Sequence, residues 1–317
     1  MKIVILDGYA SNPGDLSWGE FACFGELTVY PRTAPEQVIS RIGDAEIVFV
    51  NKTPISAETM KACPRLRLIG ILATGYNVVD IAAAKKRGIA VCNVPGYSTM
   101  AVAQMTFALL LELTQRVGQH TQAVFAGQWA QSPDFCFWNA PLTELNGKTF
   151  GVVGYGAIGQ AVGRIAMAFG MKLLVTARHE KEVPQGAEFV SLRELLERAD
   201  VVSLHCPQTA ENLHMINKES LSWMKPTAIL LNTARGGLVE EKALADALRE
   251  NRLAGFGADV VSKEPIEAGN PLLSAPNCVL TPHIAWAPKE TRSRLHHIAA
   301  DNLCAFLAGN PKNVVNP

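Results

Sequence analysis

Short apolar runs with no polar face alternate with helical stretches along this chain. In the first third the runs are Lys2–Asp7, Leu27–Tyr30, Ile47–Val50, Leu66–Leu72 and Ala90–Asn93, with helices read at Ala57–Ala62 and Val79–Arg87. A strand that is apolar on both faces must be covered on both. Separation by helices supplies that cover, so the alternation predicts an α/β fold with a parallel sheet. A long helix, Thr99–Arg116, breaks the rhythm. The stretch His120 to Asn146 then reads as less regular and carries Trp129, Phe135, Phe137 and Trp138 among turn formers. The alternation restarts at Gly147, with strands at Thr149–Gly154, Lys172–Thr176, Ala187–Val190, Val201–Cys206, Ala228–Asn232, Ala254–Asp259 and Cys278–Thr281. That is a second doubly wound unit, and a final helix near Lys289–Leu307 leaves it. A chain of 317 residues is long enough to bury two cores.

Charge excludes several classes of partner. Lys plus Arg and Asp plus Glu are 29 each, so no net positive field draws the chain to phosphate backbones or anionic lipid. Neither a nucleic acid nor a membrane is expected as partner. The apolar run Met100 to Leu113 is interrupted by Gln104, Thr106 and Glu112 and falls short of the ~20 residues that span a bilayer. The N-terminus MKIVILDGYA reads as a first strand and lacks the order of a signal peptide. The seven cysteines are scattered without a C-x-x-C pair, which fits reduced thiols in a cytoplasmic protein with no metal site. Exposed aromatics in the His120–Asn146 arm, together with the long helix, suggest a homodimer contact; a packed loop is the plain alternative.

Gly154-Tyr155-Gly156-Ala157-Ile158-Gly159 follows an apolar strand and opens a helix. Strand, glycine turn and helix N-terminus come in the order that a dinucleotide pyrophosphate requires. The end of the next strand normally carries an acid for the ribose 2′-hydroxyl of NAD. Here that place holds Ala177, followed by Arg178 and His179. With no carboxylate to repel a 2′-phosphate and a guanidinium able to grip one, the turn favours NADP(H), with NAD(H) as the alternative. An exposed arginine without a role is the bland reading.

Three further segments lie at the carboxyl ends of strands in the second unit: Leu231–Gly237, Asp259–Pro265 and Thr281–Trp286. Singly, Arg235 reads as a surface cation, Glu264 as a helix-start acid and His283 as a loop histidine. Jointly they supply what reduction of a ketone needs: a cation for a substrate carboxylate, an acid for the carbonyl oxygen, and a carboxylate to support that acid. His283 serves as acid only in its charged form, which an adjacent Glu264 carboxylate favours.

With the motifs GKTFGVVGYGAIGQ, LNTARGG, DVVSKEP and TPHIAW in this order, the sequence resembles the D-isomer-specific 2-hydroxyacid dehydrogenases over essentially its full length. Within them it is most similar to the glycerate dehydrogenases or hydroxypyruvate (glyoxylate) reductases. That similarity is carried by Leu72–Asp80, Gly96–Thr99 and Asp134–Trp138. The resemblance implies two doubly wound parallel-sheet domains, a flavodoxin-like substrate domain (1–98 and 287–317) and a Rossmann domain (99–286) that includes the dimerisation helix and arm. It places the active site in the cleft between them.

It further implies that Arg235 binds carboxylate and carbonyl, that His283 is the acid/base, and that Glu264 pairs with His283. Thr74, Gly154, Gly156, Ala157, Ile158, Gly159, Ala177, Arg178, His179, Cys206, Pro207, Thr233, Ala234, Arg235, Asp259, His283 and Ala285 are expected at the dinucleotide, with Asp259 near the nicotinamide amide. The loop Ala73, Thr74, Gly75 and Tyr76 is expected to present backbone N–H groups to the substrate carboxylate. Asn51 and Lys52 are read either as substrate contacts or as structural residues. Trp138 resembles a residue that reaches the partner subunit's site in some relatives. The expected substrate is a small 2-oxo or 2-hydroxy acid, hydroxypyruvate or glyoxylate first and another short 2-oxo acid as the alternative. The same scaffold also serves NAD(H)-sensing corepressors, a second class that the triad alone does not exclude.

Overall fold

The computed structural model describes residues 1–317. The chain divides into two compact units, Met1–Ser98 with Trp286–Pro317, and Thr99–Ala285.

The first unit is built on β1 (Lys2–Ile5), α1 (Gly19–Ala22), β2 (Glu26–Val29), α2 (Val38–Ile42), β3 (Ile47–Val50), α3 (Ala57–Ala62), β4 (Leu68–Ile71), α4 (Ile81–Lys86) and β5 (Ala90–Cys92). Its five strands are parallel in the order β2-β1-β3-β4-β5, the flavodoxin-like winding. β3 and β4 are buried at every position, as strands covered on both faces must be. Alternate residues feed two cores: Val48, Val50, Ile69 and Ile71 pack on one face, Ile47, Phe49 and Leu68 on the other. Ser56 and Asp80 cap α3 and α4 by accepting the amides of Thr59 and Ala83. The strands are shorter than the apolar runs because the chain turns out of the sheet at their ends. Asp7, read as the end of β1, lies beyond it, and its carboxylate accepts the amides of Asn51, Lys52 and Thr53 at 2.6–2.8 Å.

The second unit holds α5 (Thr99–Gln115), α6 (Val117–Phe125), β6 (Thr149–Val153), α7 (Ala157–Ala168), β7 (Lys172–Thr176), β8 (Ala187–Phe189), α8 (Leu192–Arg198), β9 (Val201–Leu204), α9 (Lys218–Trp223), β10 (Ile229–Asn232), α10 (Glu241–Arg249), β11 (Gly255–Ala258) and β12 (Cys278–Leu280). All seven strands are parallel, in the order β8-β7-β6-β9-β10-β11-β12. Strand order reverses between β6 and β9, and open α/β sheets bind ligands at such a switch point, beyond the carboxyl ends of the strands. The helix α6 corrects the sequence expectation, which left its residues from His120 onward as irregular chain. Its turns begin after Arg116, held at φ 53°, and none of its side chains is buried, so it adds nothing to the core.

The chain then returns to the first unit. Trp286, expected in the second unit, packs against the core that α11 (Lys289–Leu307) covers with Leu295, Ala299 and Leu303. Buried Arg292 of α11 forms a forked ion pair with Asp15 at 2.6 and 2.7 Å. His296 stacks on Trp18 at 4.4 Å and bonds Ser11 Oγ at 3.0 Å. Val314 bridges Cys92, and the Asn316 amide bonds Ile89 O and Val91 N, which covers the free edge of β5.

Candidate active site and cofactor pocket

The glycine turn after β6 is shaped by close approach. Gly154 sits at φ +96°, and a Cβ there would lie 2.6 Å from the amide nitrogen of Cys206 after β9. A Cβ on Gly159 would lie 2.2 Å from Gly154 O, so only glycine lets α7 start this close to the strand. Gly156, by contrast, faces open space with nothing within 4 Å of such a Cβ. It is the N-cap of α7 and offers no side chain to the N–H groups of the first turn at Ala157 and Ile158. A cavity of about 340 Å³ adjoins this turn, lined by Val153, Gly154, Thr176, Ala177, Cys206 and Pro207 among others. Burial pushes the Cys206 thiol up, so it lines the cavity as a neutral group. An open turn, an uncovered helix N-terminus and a neighbouring cavity fit a dinucleotide.

Arg178 also lines this cavity, and its guanidinium lies 3.4 Å from Glu211, a residue that the sequence did not single out. His179, the next residue, is exposed. His205, next to Cys206, is half-buried with Nε2 2.8 Å from Ser203 Oγ; burial pushes it down to about 3, which keeps the imidazole neutral.

Loops after β10, β11 and β12 carry the three expected catalytic side chains. Asn232, the last residue of β10, accepts the Ala234 amide and donates to Arg235 O at 2.9 Å, clamping the turn Thr233–Arg235. Thr233 Oγ1 meets Thr106 Oγ1 of α5 at 3.0 Å in the interior. The Arg235 side chain is exposed, with one guanidinium nitrogen on Ala234 O at 2.7 Å. Gly236 presses on the next loop: a Cβ would fall 1.9 Å from the carbonyl carbon of Val261. Any side chain there would drive the Arg235 loop off the loop that carries Glu264.

Glu264 Oε2 lies 2.7 Å from His283 Nδ1, while Oε1 accepts from the Val261 amide at 3.4 Å. Glu241, at the start of α10, accepts the amide and hydroxyl of Ser262 and the Asn270 amide, and so anchors the Glu264 loop from behind. His283 adopts φ 55°, a left-handed conformation that costs a non-glycine residue energy and persists where its surroundings enforce it. Asp259 enforces it. Fully buried at the end of β11, it accepts Thr281 Oγ1 at 2.5 Å and the amides of Ile284 and Ala285 at 2.8 Å each. A carboxylate accepts up to about four hydrogen bonds, and these three lie within the His283 loop. The sequence directed Asp259 at the nicotinamide amide; its visible partners are those of the loop.

In the first unit, Asn51 is buried and donates its side-chain amide to Leu72 O at 2.6 Å. Lys52 is exposed and shares the turn that Asp7 caps. The loop Ala73–Tyr76 is tied to the end of β5: Ala73 O accepts the Val94 amide, Thr74 Oγ1 donates to Val94 O, and Thr74 O accepts the Asn93 side chain. Gly75 and Tyr76 complete that loop, with Tyr76 exposed. Trp138 is exposed on the arm of the second unit.

A family model described as the D-isomer specific 2-hydroxyacid dehydrogenase NAD binding domain matches residues 107–285. The chain belongs to this family. A hydroxypyruvate reductase of Blautia hydrogenotrophica is 52% identical across the whole of both chains. A glycerate dehydrogenase of Methylorubrum extorquens is 41% identical over 99% of this chain and 98% of its own. Among solved structures, the NADPH-dependent glyoxylate/hydroxypyruvate reductase of Sinorhizobium meliloti, in complex with NADP and malonate, superposes with a TM-score of 0.84. It is 30% identical and the match covers 99% of this chain and 96% of that one. As a member of the D-isomer specific 2-hydroxyacid dehydrogenases, the chain is an oxidoreductase of CH–OH groups that uses a nicotinamide dinucleotide. No helix is long and apolar enough to cross a membrane.

Proposed function

We propose that this chain reduces hydroxypyruvate and glyoxylate to D-glycerate and glycolate, with NADPH preferred over NADH, as a cytoplasmic homodimer. The observation that carries the reading is the 2.7 Å pairing of His283 with Glu264 on a loop adjoining that of Arg235. When bound, the dinucleotide supplies the hydride. Arg235 grips the substrate carboxylate and carbonyl oxygen with its two-pronged guanidinium and fixes which face of the ketone is presented. As negative charge develops on the carbonyl oxygen, His283 delivers the proton from Nε2, and the Glu264 carboxylate stabilises the imidazolium that precedes delivery. Residues on the glycine turn, from Gly154 to Gly159, hold the pyrophosphate. Thr233, Ala234 and Asp259 border the nicotinamide end. Arg178 takes the 2′-phosphate, supported by the absence of an acid at Ala177. Seven cysteines with no disulfide support a reducing compartment.

Steady-state kinetics over a panel of short 2-oxo acids, each with NADPH and NADH, test this reading. Hydroxypyruvate or glyoxylate with NADPH is expected to give the highest kcat/KM, with kcat in the ~1–10³ s⁻¹ range of working enzymes. Turnover orders of magnitude lower on every acid would point instead to a nucleotide-sensing protein. Replacing Ala177 with Asp and Arg178 with Gln together should turn the preference towards NADH. An unchanged ratio would withdraw the assignment of Arg178.

A further inference from the structure

We propose that Glu211 is a specificity-determining residue that competes with the 2′-phosphate of the dinucleotide for Arg178. Through that competition it narrows the preference for NADPH over NADH. The inference rests on the reading of Arg178 as the 2′-phosphate anchor.

Arg178 and Glu211 both line the cavity beside the glycine turn, where β7 ends at Thr176 without an acid. The two approach from different segments, 33 positions apart, and meet at 3.4 Å. Glu211 also accepts the Thr209 hydroxyl at 2.8 Å, on the same Oε2 that meets Arg178, which restrains its carboxylate. The loop itself is closed by a neighbour. Asn212 accepts the Thr209 amide at 2.7 Å and donates to Pro207 O at 2.8 Å, so the turn keeps its shape without Glu211. Both side chains of the pair are about three-quarters exposed, at 73 and 76%. An exposed pair of this kind adds little to folding. Its consequence lies in what it does to a third charge.

A phosphate monoester carries close to two negative charges near neutral pH and seeks the forked face of a guanidinium. To reach Arg178 it must displace a carboxylate already there or accept that carboxylate as a neighbour. Either route weakens binding of the phosphorylated ligand. A ribose 2′-hydroxyl carries no charge and meets no such penalty. The titratable residues that follow Arg178 on its own segment are the exposed His179, Glu180, Lys181 and Glu182, and Lys181 is drawn to Tyr155 O at 3.2 Å. The carboxylate in contact with Arg178 is that of Glu211.

The test is direct binding without turnover. Wild type, Glu211→Gln, Arg178→Gln and the double variant are titrated calorimetrically with adenosine 2′,5′-bisphosphate and with AMP, at low and high salt. Glu211→Gln is expected to tighten the bisphosphate by about three- to tenfold at low salt, less at high salt, with AMP changed by under about twofold. The gain should vanish in the double variant. If Arg178→Gln weakens the bisphosphate while Glu211→Gln leaves it unchanged or weaker, the competition is refuted and the anchor stands. If Arg178→Gln leaves the preference for bisphosphate over AMP unchanged, the anchor reading itself falls, and the competition with it.

Discussion

Asp259 and Ala285 are joined by a 2.8 Å hydrogen bond from the Ala285 amide to Oδ2, and through it the end of β11 sets the path of the chain just after His283. The other oxygen accepts Thr281 Oγ1 and the Ile284 amide. Asp259→Asn replaces one acceptor with an NH₂ group that faces a backbone N–H. The second unit should lose about 2–3 kcal/mol of stability, and kcat should fall even where the variant remains folded, because the left-handed turn at His283 loses its clamp. Urea unfolding alongside kinetics at a temperature well below the transition separates the two effects. A variant with wild-type kcat would show that the clamp serves stability alone.

The three side chains assigned to chemistry should fail in different ways. His283→Ala removes the proton donor and is expected to lower kcat by on the order of 10²–10⁴ with a smaller change in KM. Glu264→Gln keeps the shape but removes the charge 2.7 Å from Nδ1. Its reduction rate should decline at a lower pH than that of wild type. Arg235→Lys keeps the charge but loses the fork, and both KM and kcat should suffer. Parallel pH–rate profiles of the three variants read these signatures, and a His283→Ala enzyme that kept most of its kcat would remove the mechanism.

Acid should loosen the first unit through His296. Burial, reinforced by the positive charge of Arg292, pushes this imidazole down to about 4, whereas in the unfolded chain it titrates near 6.5. Above about pH 6.5 it is neutral in both states and its contribution is complete. As pH falls from there towards about 4, the unfolded chain takes up a proton that the folded one refuses, and about 3 kcal/mol is lost over the interval. Unfolding midpoints measured between pH 7 and 4.5 should therefore decline, and His296→Gln should flatten the decline in that window. An equal slope in the variant would assign the acid sensitivity elsewhere.

Phe125 and Phe135 are 86% and 89% exposed on the arm of the second unit. They lie near a groove of about 470 Å³ lined by Val117, Val124, Phe125, Trp129, Phe137 and Leu142 among others. Apolar surface of this kind marks a protein contact. Sedimentation at micromolar concentration should give a dimer. Phe125→Asp together with Phe135→Asp should raise its dissociation constant by at least about tenfold. A monomeric wild type would defeat the proposal.

The glycine turn was legible in the sequence because its constraint is local: a strand, a turn that excludes side chains and a helix start all lie within residues 149–168. The two windings were legible for a similar reason, since a strand covered on both faces shows as an unbroken apolar run. Asp259 was legible as a strand-end acid expected near the nicotinamide amide, but not as the clamp of the His283 loop. Its partners lie 22 to 26 residues further on, and a carboxylate turned towards a ligand is spelled the same as one turned towards its own loop. The bond from Asn51 to Leu72 O was illegible for the same reason. Helix α6 was missed because it buries nothing, and Glu211 because its relation to Arg178 exists only once two strand-end loops are brought together.

The return of residues 286–317 to the first unit imposes an order on synthesis. As the chain leaves the ribosome, the strands of the second sheet are all delivered by Leu280, well before Leu295, Ala299 and Leu303 can cover the first sheet and before Asn316 can close the edge of β5. The first-made sheet thus waits, with one apolar face incompletely covered, for a helix made after the whole second sheet. A nascent chain stalled near residue 285 should already protect the second unit against protease while β1 to β5 remain susceptible. The interval between those two events is the stretch of biogenesis in which that apolar face stays open to misassembly.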